Sequence, residues 1–320
     1  MSASPEKRQR FINVFANIRD ELIQHFANEG MPDDGQEWFR RSLDHNVIGG
    51  KLTRGLSVID TVEILLGHAL SEDEYRRVAT LGYTIELLQA ALLVADDIMD
   101  RSVTRRGRPC WYTISSVGSI AVNDAFMLEQ AAFYILRSHF RNEPYYADVV
   151  DLLLETKYNT DAGQLVDCIS EGSTDLSAFS LNKHCFLSKF KTMFYSFYCP
   201  VLLSLNYVST SIPGIATPEV FSKVKEIFIP FGEYYQVQDD YVDCYYTPEQ
   251  MGKIGTDIVD GKCSWLIVTA LTHANSEQRR VLEECYGRKD AEKEKRVKEI
   301  YDELDLRGNM LNTRGIRLSW

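Results

Sequence analysis

Phe11, Phe15, Ile18, Leu22 and Phe26 recur at three- and four-residue spacing with charged residues between them, a pattern that predicts an amphipathic helix near the start of the chain. Ser4-Pro5-Glu6 supplies the start signal: a hydroxyl to cap, a Pro whose missing N–H costs nothing in the first turn, and an acid for the positive helix end. The same grammar returns at Thr217-Pro218-Glu219 and Thr247-Pro248-Glu249, and each predicts a further helix. Sustained two-residue alternation bounded by Asn-Gly or Asp-Gly turns is missing, and Pro and Gly cluster between the helical stretches. The fold class expected is therefore all-α. Breaks are expected around 49–50, 107–109, 171–174, 211–214 and 252–261, all short and none built like a Pro- or Ser-rich linker, so residues 1–320 are expected to form a single domain.

Two apolar stretches end in acid. Residues 87–95 lead into Asp96-Asp97-Ile98-Met99-Asp100, and residues 228–237 lead into Asp239-Asp240-Tyr241-Val242-Asp243. On a helix, Asp96 and Asp100 share one face, as do Asp239 and Asp243. Like charges at this spacing repel, more so when desolvated, so burying such a pair calls for a cation. Hard oxygen donors without neighbouring His or Cys select Mg²⁺ over zinc. One such pair taken alone also reads as a solvated helix face; two copies after apolar runs favour a metal-bridged diphosphate, since Mg²⁺ commonly shares its shell with substrate phosphates.

Composition narrows the choice. With 320 residues, 45% hydrophobic and 25% charged, the chain is able to bury a large core. A net charge of -11 argues against unaided binding to nucleic acid or an anionic membrane, so any anion site needs its own local cations. Seven scattered cysteines without Cys-x-x-Cys spacing read as reduced thiols, which with the polar, acid-containing start predicts a cytoplasmic protein. The longest uninterrupted apolar runs, 90–95 and 266–271, are too short to span a bilayer.

Gly49-Gly50-Lys51-Leu52-Thr53-Arg54-Gly55 combines close backbone approach with two cations and suits a phosphate, although it also reads as a surface turn. It is not a Walker A loop, because His45 and Leu52 stand where that motif needs Gly and Ser or Thr. Thr104-Arg105-Arg106-Gly107 follows the first acidic block and places two guanidinium groups beside it. Lys191, Lys253 and Lys262 are individually unremarkable.

Taken together, several segments resemble the eukaryotic farnesyl diphosphate synthases. They are Ala95 to Asp100 with Thr104-Arg-Arg-Gly107 and Pro109-Cys-Trp-Tyr112; Phe190-Lys-Thr192 with Phe194-Tyr-Ser-Phe-Tyr198; Gln236 to Cys244; Gly252-Lys-Ile-Gly-Thr-Asp-Ile258; and Lys262-Cys-Ser-Trp265. The likeness runs from about Phe11 to Leu306. It implies a single large helical bundle around a deep central cavity, usually a homodimer, with three Mg²⁺ ions at the mouth. It implies metal ligation by Asp96, Asp100, Asp239 and Asp243. Arg105, Lys191, Lys253 and Lys262 would hold the allylic diphosphate, and Gly50, Lys51, Arg54, Gln89 and Arg106 the isopentenyl diphosphate. Thr192, Gln236 and the backbone carbonyl of Lys191 would steady the allylic cation. Asp257 and Lys262 would belong to a closing lid, hinged in 252–261.

Two departures from that pattern stand out. Aromatic residues usually close the chain-elongation pocket four and five positions before the first Asp, where this chain has Leu92 and Ala91, so the product is expected to be able to exceed fifteen carbons. Family members also continue past the position equivalent to about 306 through further helices to a basic tail, which this chain does not carry. Alternative functions are a terpene synthase on the same scaffold and a non-catalytic partner of a longer synthase. The intact Lys51, Arg54, Gln89 and Arg106 argue against the first, because a cyclase has no use for a second diphosphate site.

Overall fold

The computed structural model describes residues 4–171, 175–251 and 254–308, and these are almost wholly helical. They divide into two compact units, residues 1–158 with 194–225 and residues 159–193 with 226–320. The chain passes from one to the other inside helices rather than in loops.

In the first unit α1 (Pro5–Asn28) begins at the predicted cap, where the Ser4 hydroxyl accepts from the Lys7 N–H at 3.2 Å. Phe11, Phe15, Ile18 and Leu22 are buried as the spacing requires, with Phe26 half-buried. α2 (Asp33–Asn46) and α3 (Thr53–Leu66) follow, and then α4 (Glu72–Met99), opened by a capping box between Ser71 and Glu74. α4 is the central helix of this unit, and Tyr83 fastens α1 to it: its ring stacks on Phe11 at 4.1 Å and its hydroxyl donates to the Phe11 carbonyl. α3 and α4 meet backbone to backbone, because a β-carbon on Gly82 would lie 2.7 Å from the Gly55 carbonyl oxygen.

Among the described residues α4 alone is long and apolar enough to cross a membrane, yet 83% of its most apolar window is buried in the protein. Counting uninterrupted runs missed its length because Thr80, Thr84, Glu86 and Gln89 interrupt the apolar sequence while remaining buried.

After α4 the chain forms a small hairpin, β1 (Thr104–Arg105) paired antiparallel with β2 (Arg108–Pro109). Its turn residues Arg106 and Gly107 both have positive φ, 55° and 71°, as a two-residue hairpin of this hand requires. A break was expected there, but not strands, because Arg-Gly lacks the Asn or Asp that usually announces this turn. The buried Asp124 on α5 (Ala121–Phe140) pins the segment after the hairpin, accepting from the indole N–H of Trp111 at 2.7 Å and that of Trp38 at 3.0 Å. α6 (Tyr146–Cys168) begins in this unit, which also contains α8 (Cys199–Val208).

The second unit holds the end of α6, α7 (Leu181–Leu187), the start of a π-helix (Ser188–Tyr198), most of α9 (Pro218–Tyr245), and the short α10 (Pro248–Met251) and α11 (Asp257–Asp260). It closes with α12 (Trp265–His273), α13 (Ser276–Cys285) and α14 (Ala291–Glu303). Leu266, Ile267, Leu282, Tyr286, Ile300 and Tyr301 make its core. Tyr286 donates its hydroxyl to the Lys262 carbonyl at 2.6 Å, and the Gly287 N–H donates to the Ile258 carbonyl at 2.9 Å, so the segment expected to act as a lid is anchored at both ends of α11. None of the seven cysteines is in a disulfide.

Candidate functional site

In each acidic block the middle carboxylate is buried, and in the second block Asp243 is buried as well. At the end of α4, Asp97 is buried and accepts from Arg105 at 2.9 Å (Nε) and 2.6 Å (Nη2), while the same Nη2 reaches Asp96 at 3.1 Å. Burial pushes the Asp97 carboxyl up and Arg105 opposes that shift. In α9 the middle residue Asp240 is likewise buried, and both its oxygens are engaged: Oδ1 accepts from Gln236, and Oδ2 from His184 and from the Trp265 N–H. Of the flanking carboxylates, Asp96 also meets Arg105, Asp239 is exposed, and Asp243 is buried and accepts from the Asp257 N–H.

Arg106 and Gly50, expected to share a ligand, lie together: a β-carbon on Gly50 would stand 2.7 Å from the guanidinium carbon. Arg8 holds this turn from α1, donating to the Gly50 carbonyl at 2.9 and 3.2 Å. Arg106 and Arg108 donate to the carbonyls of Asn46 and His45 that end α2, cations placed at the negative pole of a helix. Lys51 is exposed, and Leu52 takes the left-handed conformation, φ 53°, that starts α3. Arg54 lies over the Tyr195 ring and donates to the Ser196 hydroxyl at 2.6 Å. On α4, Gln89 is almost wholly buried one turn beyond Glu86, whose carboxylate accepts from the Gly55 N–H at 2.8 Å. Burial raises the Glu86 pKa, with the Gly55 N–H, Arg54 and Arg106 opposing.

Lys191 and Lys262 meet at a residue the sequence reading did not single out. Asp167, buried near the end of α6, accepts from Lys191 Nζ at 2.6 Å and from Lys262 Nζ at 2.9 Å. Burial alone would raise the Asp167 pKa, but the two ammonium groups more than reverse this and hold it below the ordinary carboxylate range. One turn earlier, Gly163 lets α6 touch the π-helix backbone at Lys191. A glycine inside a helix, four residues before an acid, was the available signal. Thr192 donates to Gln236 Oε1 at 2.8 Å. Asp243 accepts from the Asp257 N–H at 3.0 Å, which ties the start of α11 to the second block. Lys253 lies outside the described residues. Ala91 is buried and Leu92 part-buried on α4, about 6–8 Å along the helix from Asp96.

No group of three or more His, Cys, Asp or Glu side chains is gathered as a metal cage among the described residues.

The polyprenyl synthetase family model matches residues 36–304. The chain belongs to the polyprenyl synthetase family. Among curated relatives of this synthetase, the farnesyl pyrophosphate synthase of Saccharomyces cerevisiae is 51% identical over 305 residues, covering 94% of this chain and 85% of its own. That of Ganoderma lucidum is 50% identical over 307 residues, covering 95% and 85%. Among solved structures, T. brucei farnesyl diphosphate synthase complexed with minodronate superposes with a TM-score of 0.90 at 34% identity, over 97% of this chain and 90% of that one. These relatives carry the isoprenoid synthase fold, in agreement with the all-α class read from the sequence.

Proposed function

We propose that this polyprenyl synthetase condenses an allylic diphosphate, dimethylallyl or geranyl, with isopentenyl diphosphate, giving farnesyl diphosphate or a longer prenyl diphosphate. The observation that supports the residue assignments is common to both acidic blocks: the middle carboxylate is buried and spent on the fold, Asp97 on Arg105 and Asp240 on Gln236, His184 and Trp265, which favours the flanking members as ligands. Asp96, Asp100, Asp239 and Asp243 would hold Mg²⁺, three ions per site. When bound, the metal neutralises charge gathering on the departing diphosphate, which is the main electrostatic demand of the reaction.

The chain's own residues do the rest. Lys191, Lys262, Arg105 and Lys253 bind the allylic diphosphate, so the C–O bond breaks with its electron pair leaving on oxygen. Thr192, Gln236 and the Lys191 carbonyl present oxygen dipoles to the allylic cation. Gly50, Lys51, Arg54, Gln89 and Arg106 hold isopentenyl diphosphate so that its double bond attacks the allylic carbon without a bimolecular encounter. Loss of a proton from the adduct restores an alkene.

We place the protein in the cytoplasm, in keeping with cysteines that form no disulfide, and expect a homodimer. A stripe of exposed apolar residues, Leu154, Tyr158 and Leu165 on α6 and Ile169 directly after it, each 52–77% exposed, supports the dimer, because such a face gains by being covered.

Incubation of the full chain with Mg²⁺, dimethylallyl diphosphate and isopentenyl diphosphate should release inorganic diphosphate and prenyl diphosphates, with loss of turnover in EDTA. Hydrocarbon or alcohol from farnesyl diphosphate alone, with no coupling to isopentenyl diphosphate, would replace this reading by a terpene synthase.

A further inference from the structure

His184 is 3% exposed and lies on α7, and neither metal nor diphosphate binding is assigned to it. Its ring Nε2 meets Asp240 Oδ2 at 2.9 Å, 56 residues along the chain. The opposite oxygen, Asp240 Oδ1, accepts from Gln236 Nε2 at 2.8 Å, and Gln236 Oε1 accepts from the Thr192 hydroxyl at 2.8 Å. The four residues form one chain of hydrogen bonds within one compact unit.

The direction of each bond follows from the one before it. An ionised carboxylate only accepts, so Asp240 requires the amide nitrogen of Gln236. Gln236 then has only its carbonyl oxygen for Thr192, and Thr192 must give its proton to it. What Thr192 keeps for anything else is its oxygen lone pairs. With the amide reversed, Gln236 would donate to Thr192 and the hydroxyl proton would point outward. An allylic cation needs the first arrangement and is repelled by the second.

Resting on the proposed role of Thr192, we propose that His184 is a positioning residue for the coupling reaction: by holding Asp240 it fixes the Gln236 amide, and thereby makes Thr192 present oxygen rather than hydrogen to the allylic cation. The Trp265 N–H donates to the same Asp240 oxygen at 2.6 Å and fixes the carboxylate plane from the start of α12. Asp240 is thus a hub, with no oxygen directed to a ligand, and its counterion is His184. The imidazole is held in its charged form, because Asp240 overcomes the downward pull of burial and raises the His184 pKa to about 9.

Steady-state kinetics of the full chain tests this with His184→Phe, His184→Gln, Thr192→Val and the double variant His184→Phe/Thr192→Val. His184→Phe should lower kcat about tenfold or more while KM for isopentenyl diphosphate stays within about twofold. His184→Gln, whose Nε2 replaces the ring donor, should recover to within about threefold of the parent. Because His184 acts through Thr192, the double variant should be no more than about twofold slower than the slower single variant. Multiplying losses in the double variant, or an unimpaired His184→Phe beside a slow Thr192→Val, would overturn the role of His184 alone. An unimpaired Thr192→Val would overturn the reading of Thr192 on which it rests. If His184→Phe does not fold, His184→Asn, whose shorter amide does not reach Asp240, takes its place under the same outcomes.

Discussion

A β-carbon on Gly163 would stand 2.3 Å from the backbone nitrogen of Lys191, so α6 and the π-helix touch backbone to backbone at the residue proposed to bind diphosphate. No side chain yields there: the obstructing atoms are the nitrogen and Cα of Lys191 and the carbonyl carbon of Phe190. Gly163→Ala should therefore push the helices apart, at a cost of ~1–3 kcal/mol, typical of overpacking. Asp167 lies one turn further along α6, so the same displacement breaks its 2.6 Å contact with Lys191. Thermal melting should show the lost stability, and kcat should fall about tenfold or more, since small misplacements of binding groups are costly.

Asp167 itself makes a second test. Replacing it by Asn leaves two ammonium groups beside each other without their shared counterion, and breaking a buried ion pair in this way typically costs ~3–5 kcal/mol. Inorganic diphosphate with Mg²⁺ supplies negative charge to the same lysines, so it should raise the melting temperature of Asp167→Asn more than that of the parent. The parent also has a signature in acid. Its folded Asp167 carboxyl titrates below the ordinary 3.8, so the stabilisation is complete above that value and is lost as pH falls through the folded value. Unfolding midpoints from about pH 5 down to about pH 2 should decline with a component that is absent from Asp167→Asn.

Asp167 and His184 also mark the limit of what the sequence discloses. The acidic blocks were legible because their signal is local: carboxylates at four-residue spacing directly after an apolar run. So were the helix starts at Ser4, Thr217 and Thr247, each a cap, a Pro and an acid. Asp167 gains its role from lysines 24 and 95 residues away, and His184 from an acid 56 residues away, separations at which neither periodicity nor spacing carries information. The hairpin escaped notice for another reason. Arg106 adopts positive φ despite its bulk, held there while its guanidinium donates to the Asn46 carbonyl, and a propensity argument has no access to that bond.

Ala91 and Leu92 give a prediction about product rather than rate. If the floor of the elongation pocket lies at these positions, their small side chains leave it open and products beyond fifteen carbons should form from dimethylallyl and isopentenyl diphosphates. Filling it with rings, Ala91→Phe and Leu92→Phe together, should shorten the product while leaving the first condensation within about threefold, because the added volume meets only the growing chain. Chromatography of the dephosphorylated products measures both. A parent that stops at fifteen carbons would show that other side chains close the floor.

His184 supplies the last prediction, at the alkaline end. Its imidazole titrates at 6.5 in the unfolded chain and near 9 in the fold, where burial lowers the value but the hydrogen bond to Asp240 raises it further. The folded state therefore binds the proton more tightly. The resulting stabilisation is fully present below pH 6.5, declines as pH rises from 6.5 towards 9, and is gone above that. Other groups titrate in this range, so the informative quantity is the difference between the parent and His184→Gln, which keeps a donor to Asp240 but carries no titrating proton. Melting temperatures taken across the interval should fall more steeply for the parent, and the two curves should run parallel above it. Parallel curves throughout would mean that His184 is neutral in the fold and that Asp240 is held by hydrogen bonds without a buried counterion.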